Sequence, residues 1–174
     1  MRDITQDIGT VVNRMRDFQQ IEGAPFYFFG SRLEISNRLI AMDKDPINKS
    51  KKYPLIMLRL DVPELVSDGV VTYTLNIVMA APTKKTYIAE QRMENVIRPV
   101  LMPMYESFFA ELKKCRLFMW PYGLGQGEKP KHTRIVRPFW GVTGPEGNQR
   151  YIFNDPLDAI EIFNLEVKQD LNKC

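Results

Sequence analysis

Ile4, Ile8, Val11, Val12, Met15 and Phe18 recur every three or four residues between Asp3 and about Phe18, with Arg14, Arg16 and Asp17 between them. That spacing predicts an amphipathic helix. Asp3, with Gln6 three positions on, has the form of a capping box with Asp in place of Ser or Thr, so the helix is expected to start there. Gly23-Ala24-Pro25 closes the region. From Phe26 to Ile40 an aromatic run leads into Leu33, Ile35 and Leu39, which predicts two strands or one bent strand. Tyr27, Phe28 and Phe29 are expected to cover both faces of a packed sheet. After a charged loop over 43–52, Ile56, Leu58, Leu60 and Val62 alternate within Tyr53–Val62, and Val71, Tyr73, Leu75, Ile77 and Met79 repeat the alternation beyond Ser67-Asp68-Gly69. A hairpin follows, and Thr72, Thr74 and Asn76 make its other face the wetter one.

The longest helical pattern runs from Tyr87 to Cys115, with Met93, Ile97, Val100, Met104, Phe108 and Leu112 as its stripe. Pro99 and Pro103 predict a kink or short break, because each lacks a backbone donor and clashes with the preceding turn. Arg116–Trp120 reads as a short strand, and a Gly- and Pro-rich exposed, mobile loop is expected over about 121–132. Thr133–Val142 and Tyr151–Phe153 read as strands around the loop Gly144–Asn148, and Ala159–Val167 as the closing strand.

The 174 residues, 44% hydrophobic and 26% charged, fit one globular domain over 1–174 and exclude disordered, collagenous and coiled-coil classes. No apolar leader follows Met1 and no run is long enough to span a bilayer, so a soluble, cytoplasmic protein without membrane contact is expected. Cys115, Cys174 and the single His132 are too few for a disulfide framework or a zinc site, and no cofactor is implied. The net charge of +3 does not by itself suggest a duplex-binding surface, but its distribution is uneven. Residues 116–150 hold six bases and two acids, a balance of +4, whereas 151–174 hold five acids and two bases, a balance of −3. Such poles are either solvated faces or the two halves of a head-to-tail contact between identical subunits.

Gly123, Gly125 and Gly127 before Lys129 have neither the Walker nor the dinucleotide-loop spacing. His132 has no nucleophile at a recognisable interval. Asp155, Asp158 and Glu166-Val167-Lys168 follow the order of a magnesium nuclease, in which two carboxylates hold the metal and a lysine steadies water or phosphate. The alternative is an Asx-type turn at Asn154-Asp155-Pro156 and acids on a solvated strand. Lys129, Lys131, Arg134 and Arg137, near Phe139 and Trp140, could contact nucleic acid without sequence preference.

Three phrases carry a resemblance: Phe29-Gly30-Ser31-Arg32-Leu33-Glu34-Ile35-Ser36-Asn37-Arg38-Leu39, Lys52-Tyr53-Pro54-Leu55-Ile56-Met57-Leu58-Arg59-Leu60-Asp61 and Phe153-Asn154-Asp155-Pro156-Leu157-Asp158-Ala159-Ile160-Glu161-Ile162. Nearly end to end, the chain resembles virion structural proteins of Bacteroidetes phages, including the crAss-like phages, and its order of elements resembles phage neck and tail-completion proteins. The resemblance implies a tail-terminator-like α+β fold, with an antiparallel or mixed sheet packed by the N-terminal helix and a long central helix. It also implies a homo-oligomeric ring, dodecameric or hexameric, in the neck of the virion. That ring would join the portal to neighbouring neck or tail rings around the exiting DNA, after assembly in the host cytoplasm. The role would be structural and not enzymatic. The alternatives are a terminator ring at the head-proximal end of a tail tube, the magnesium nuclease, and a host-side binding module. On the ring reading, Lys129, Lys131, Arg134 and Arg137 line the channel or an interface, and Asp155, Asp158, Glu161 and Glu166 form an acidic subunit interface.

Overall fold

Ser31 separates the two halves of the first long apolar run. Its hydroxyl accepts from the Glu34 N–H at 3.3 Å and the Glu34 carboxylate accepts from the Ser31 N–H at 2.7 Å, a complete capping box. In the computed structural model, which describes residues 3–15, 25–47, 51–119, 129–143, 150–151 and 155–170, this cap starts a helix where alternation predicted strand. Strand β1 is Phe26–Gly30 and helix α2 is Arg32–Asp43. Ile35, Leu39 and Met42, four and three residues apart, are buried, while Leu33, which suggested the alternation, is 70% exposed.

Helix α1 spans Ile4–Asn13, and Asp3 caps it by accepting from the Thr5 N–H at 2.9 Å. The expected extension to Phe18 passes into residues outside those described, as do Gly23 and Ala24. Strands β2 (Leu55–Arg59), β3 (Glu64–Ser67) and β4 (Val70–Pro82) follow. The Asp68-Gly69 turn is where the sequence placed it, with φ of 51° and 76° as a two-residue hairpin turn requires. It joins β4 to β3, a strand the alternation did not predict, while Leu60 and Val62 leave the sheet and β2 pairs further along β4.

The long helical segment is three pieces: α3 (Ala89–Arg92), a π-helix (Met93–Leu101) and α4 (Met102–Lys114). The expected break is therefore a change of winding. The Met102 N–H reaches back five residues to the Ile97 carbonyl, and Pro99 sits inside the wider turns. Residues 116–119 form a turn rather than the expected strand, with one bridge from Met119 to Lys168. Strands β5 (Thr133–Trp140), β6 (Val142–Thr143), β7 (Arg150–Tyr151) and β8 (Leu157–Asp170) complete the chain. The loop expected over 121–132 lies largely outside the described residues, and at its end Pro130 is buried rather than exposed.

The fold is mixed α+β. Its six-stranded sheet has the order β1-β2-β4-β8-β5, with β3 beside the first half of β4. Only β1 and β2 run parallel. The centre is the antiparallel β4–β8 pair, from Val70↔Asp170 to Pro82↔Leu157. One face packs Ile56, Tyr73, Leu75, Ile160 and Leu165 against α1, the π-helix and α4. On the other, α2 covers Phe28, Met57, Val78 and Ala159 and leaves the rest wetter. Asn164 (φ 54°) forms a bulge opposite Asn76, whose Oδ1 accepts the Asn164 N–H at 3.2 Å. The extra residue keeps Ile162 and Leu165, three apart, on the same buried face.

Candidate functional site

Asp158 lies on the helix-facing side of β8 with 0% exposure. Its Oδ1 accepts from Arg92 Nη1 at 3.0 Å and from the Phe139 N–H at 3.0 Å, and Arg92 also donates to the Tyr87 carbonyl at 2.6 Å. Phe139 sits in the left-handed region (φ 50°) at a second bulge, between Arg137 and Trp140. The Arg92 guanidinium stacks on its ring, 3.3 Å from the centroid. Asp158 and Arg92 thus fix a strained turn at the end of β5 from inside the fold. Asp158 Oδ2 and the Thr83 hydroxyl are buried and unpartnered among the described residues.

Asp155 belongs to a different cluster. Lys52 Nζ, itself buried, donates to Asp155 and Asp43, and the Tyr53 hydroxyl donates to Asp155 at 3.0 Å. Desolvation opposes the Lys52 charge, but its hydrogen bonds to Asp155 and Asp43 prevail and raise its pKa above 10.5. Burial, reinforced by the Asp155 charge, raises the Tyr53 pKa as well. Three chain segments are tied together here: the end of α2, the approach to β2 and the approach to β8.

Glu161 is saturated by β5, with Oε2 accepting from Arg137 Nε at 2.7 Å and Oε1 from Trp140 Nε1 at 3.0 Å. This carboxylate forms one wall of a cleft of about 530 Å³ that Ile35, Met57 and Arg59 also line. Glu166 and Lys168 lie on the same face as Glu161, beyond the Asn164 bulge, and are exposed. About 26 Å of strand separates Asp158 from Glu166, and the two project from opposite faces. The residues of the nuclease order are therefore dispersed, and no group of metal-ligating side chains occurs among the described residues.

The basic residues are spread along β5 and its approach. Lys129 pairs with Glu106 at 2.9 Å and lies over the Tyr105 ring. Arg134, at the start of β5, lies over the same ring, 5.1 Å from its centroid. Arg137 is held by Glu161. Lys131 is exposed, and its carbonyl accepts from the Glu166 N–H. His132 fixes this approach. Its Nδ1 donates to the Pro130 carbonyl at 2.5 Å, an acceptor only, which leaves Nε2 to accept from the Tyr105 hydroxyl at 2.6 Å in the neutral ring. The ring also stacks on Phe109.

Three of the four acids read as a subunit interface, Asp155, Asp158 and Glu161, are thus engaged within the chain, and Asp158 has no surface to offer another molecule. Lys52 and Arg92, which organise two of the clusters, carried no periodic signal: one lies in a charged loop and the other just ahead of the π-helix. No protein-family model, curated protein or solved structure matches the chain.

The sheet itself remains open. All four residues of β3 are exposed, as are most of β5 on the opposite flank. Each of these strands pairs on one side only among the described residues, β3 with β4 and β5 with β8. Large apolar side chains stand exposed on both, Leu65 and Val66 on β3 and Val136 on β5. No helix of the described residues is long and apolar enough to cross a membrane.

Proposed function

We propose that this chain is a ring-forming structural subunit of a phage neck, with a tail-terminator-like fold, that seals or extends the DNA channel below the portal. The observation that carries the reading is the open sheet with an exposed strand on each flank. A subunit whose strand edges are unpaired among the described residues on both sides of the sheet, β1 and β3 on one and β5 on the other, is suited to heterologous contacts. Such contacts close into a ring when the rotation permits. The resemblance of the three phrases around Ser31, Tyr53 and Asp155 to phage virion proteins supplies the biological setting. The internal ion pairs support the same role: Lys52, Arg92 and Glu161 cross-link distant segments, giving a rigid block that can bear load between neighbouring rings.

Electron microscopy of the purified, concentrated protein tests this. Closed rings with a central opening are expected. Particles of monomer size alone at every concentration contradict it.

A further inference from the structure

The two flanks of the open sheet differ in charge, and the difference selects a partner. The segment entering, forming and leaving β3, from Asp61 to Asp68, contains Asp61, Glu64 and Asp68 and no base. Leu65 lies opposite Thr72 and Val66 opposite Val71, so the two point to opposite faces of the sheet, yet they are 69% and 57% exposed. A hairpin strand that served only its own sheet would have one face covered. Apolar side chains bare on both faces, beside an unpaired backbone edge, form a template for another strand.

Across the sheet, the segment from Lys129 to Trp140 contains Lys129, Lys131, Arg134 and Arg137 and no acid. Glu106 and Glu161 neutralise Lys129 and Arg137. Lys131 and Arg134 are exposed and form no ion pair among the described residues. Val136 stands exposed between Ile135 and Arg137. Strand β1, on the same flank as β3, carries no charged residue to match this edge.

We propose that β3 of one copy pairs with β5 of the next, Glu64 and Asp68 meeting Lys131 and Arg134, and Val66, on the face of Glu64, covering Val136, on the face of Arg134. The contact uses two different surfaces of one chain and so repeats from copy to copy, as a ring requires. The inference rests on the ring reading and assigns its interface. It moves the interface away from Asp155, Asp158 and Glu161, and it makes Lys131 and Arg134 interface residues rather than channel lining.

Charge exchange tests it. Glu64→Lys and Arg134→Glu are each expected to weaken self-association about tenfold or more at low salt, and Lys131→Glu, at a side chain with no ring contact, is expected to do the same. The double variant Glu64→Lys/Arg134→Glu restores opposite charges across the interface and is expected to recover most of the loss. Sedimentation velocity reads the association, and an unchanged unfolding midpoint shows that the variants fold. Single variants that assemble like the parent overturn the β3–β5 pairing and leave the ring reading standing. Single variants that weaken assembly without recovery in the double overturn this particular pairing. A parent protein that stays monomeric overturns both.

Discussion

At the scale of single residues, the fold is pinned by charges and hydroxyls placed where water does not reach. Arg92 and Asp158 are both buried, and Asp158 also receives the N–H of Phe139 in its left-handed conformation. Arg92→Ala strands a buried carboxylate and is expected to cost about 3–5 kcal/mol in urea unfolding. An effect near zero would contradict a charged pair held out of water. Lys52 gives a pH signature. Its folded pKa is raised, so its contribution is complete below 10.5 and fades as pH climbs through the higher folded value. Tyr53 acts in the same direction, because burial favours its neutral form. The destabilisation caused by Lys52→Met is therefore expected to shrink as unfolding is measured above 10.5, and a constant penalty would contradict the pairing with Asp43 and Asp155. Gly9 is fixed by contact: a Cβ there would lie 3.0 Å from the Tyr27 ring, whose hydroxyl donates to the Thr5 carbonyl at 2.7 Å. None of these ties was legible in the sequence. A buried ion pair joins residues far apart in the chain and leaves no periodic trace, so Asp155 and Asp158 stood out as carboxylates while Lys52 and Arg92 did not.

At the scale of elements, hydrophobic spacing identified α1, β4, α4 and β8, because each presents a long, regular apolar stripe to one core. It failed at α2, where Leu33 and Ile35 mimic alternation and the deciding signal is polar, the Ser31 and Glu34 capping pair. Ser31→Ala is expected to cost about 1 kcal/mol, measured by denaturant titration. A neutral result would show that packing of Ile35 and Leu39 alone sets the helix start. It also failed at β3, whose exposed Leu65 and Val66 do not segregate to one face and so leave no alternation to detect. The turn after it was readable from Asp68-Gly69, since few other pairs accept two positive φ angles. Gly69→Ala is expected to destabilise the hairpin by about 1–2 kcal/mol. The two prolines announced a discontinuity in the long helix, and its nature follows from burial: Val96, Ile97 and Leu101 are spaced for a wider winding before Met104, Phe108 and Leu112 resume the α-helical stripe.

At the scale of the whole molecule, the sheet is packed by α1, the π-helix and α4 on one face and by α2 on part of the other, while among the described residues both flanks stay bare. The one-sided wetness was foreseeable from Thr72, Thr74 and Asn76. The bare flanks were not, because strand order depends on pairings between distant segments. The uneven charge of the C-terminal third was visible from composition, but the fold spends much of it internally, through Arg137 with Glu161 and Lys129 with Glu106, and leaves a smaller polarity between the two sheet edges. Assembly is accordingly expected to weaken with salt in proportion to that remaining polarity. The central claim is that these edges join identical subunits into a closed ring. Light scattering of the purified protein across a wide concentration range measures the mass directly. The account predicts one discrete, large species whose mass is a whole multiple of 20.3 kDa. A mass that stays at that of a single chain throughout would contradict it.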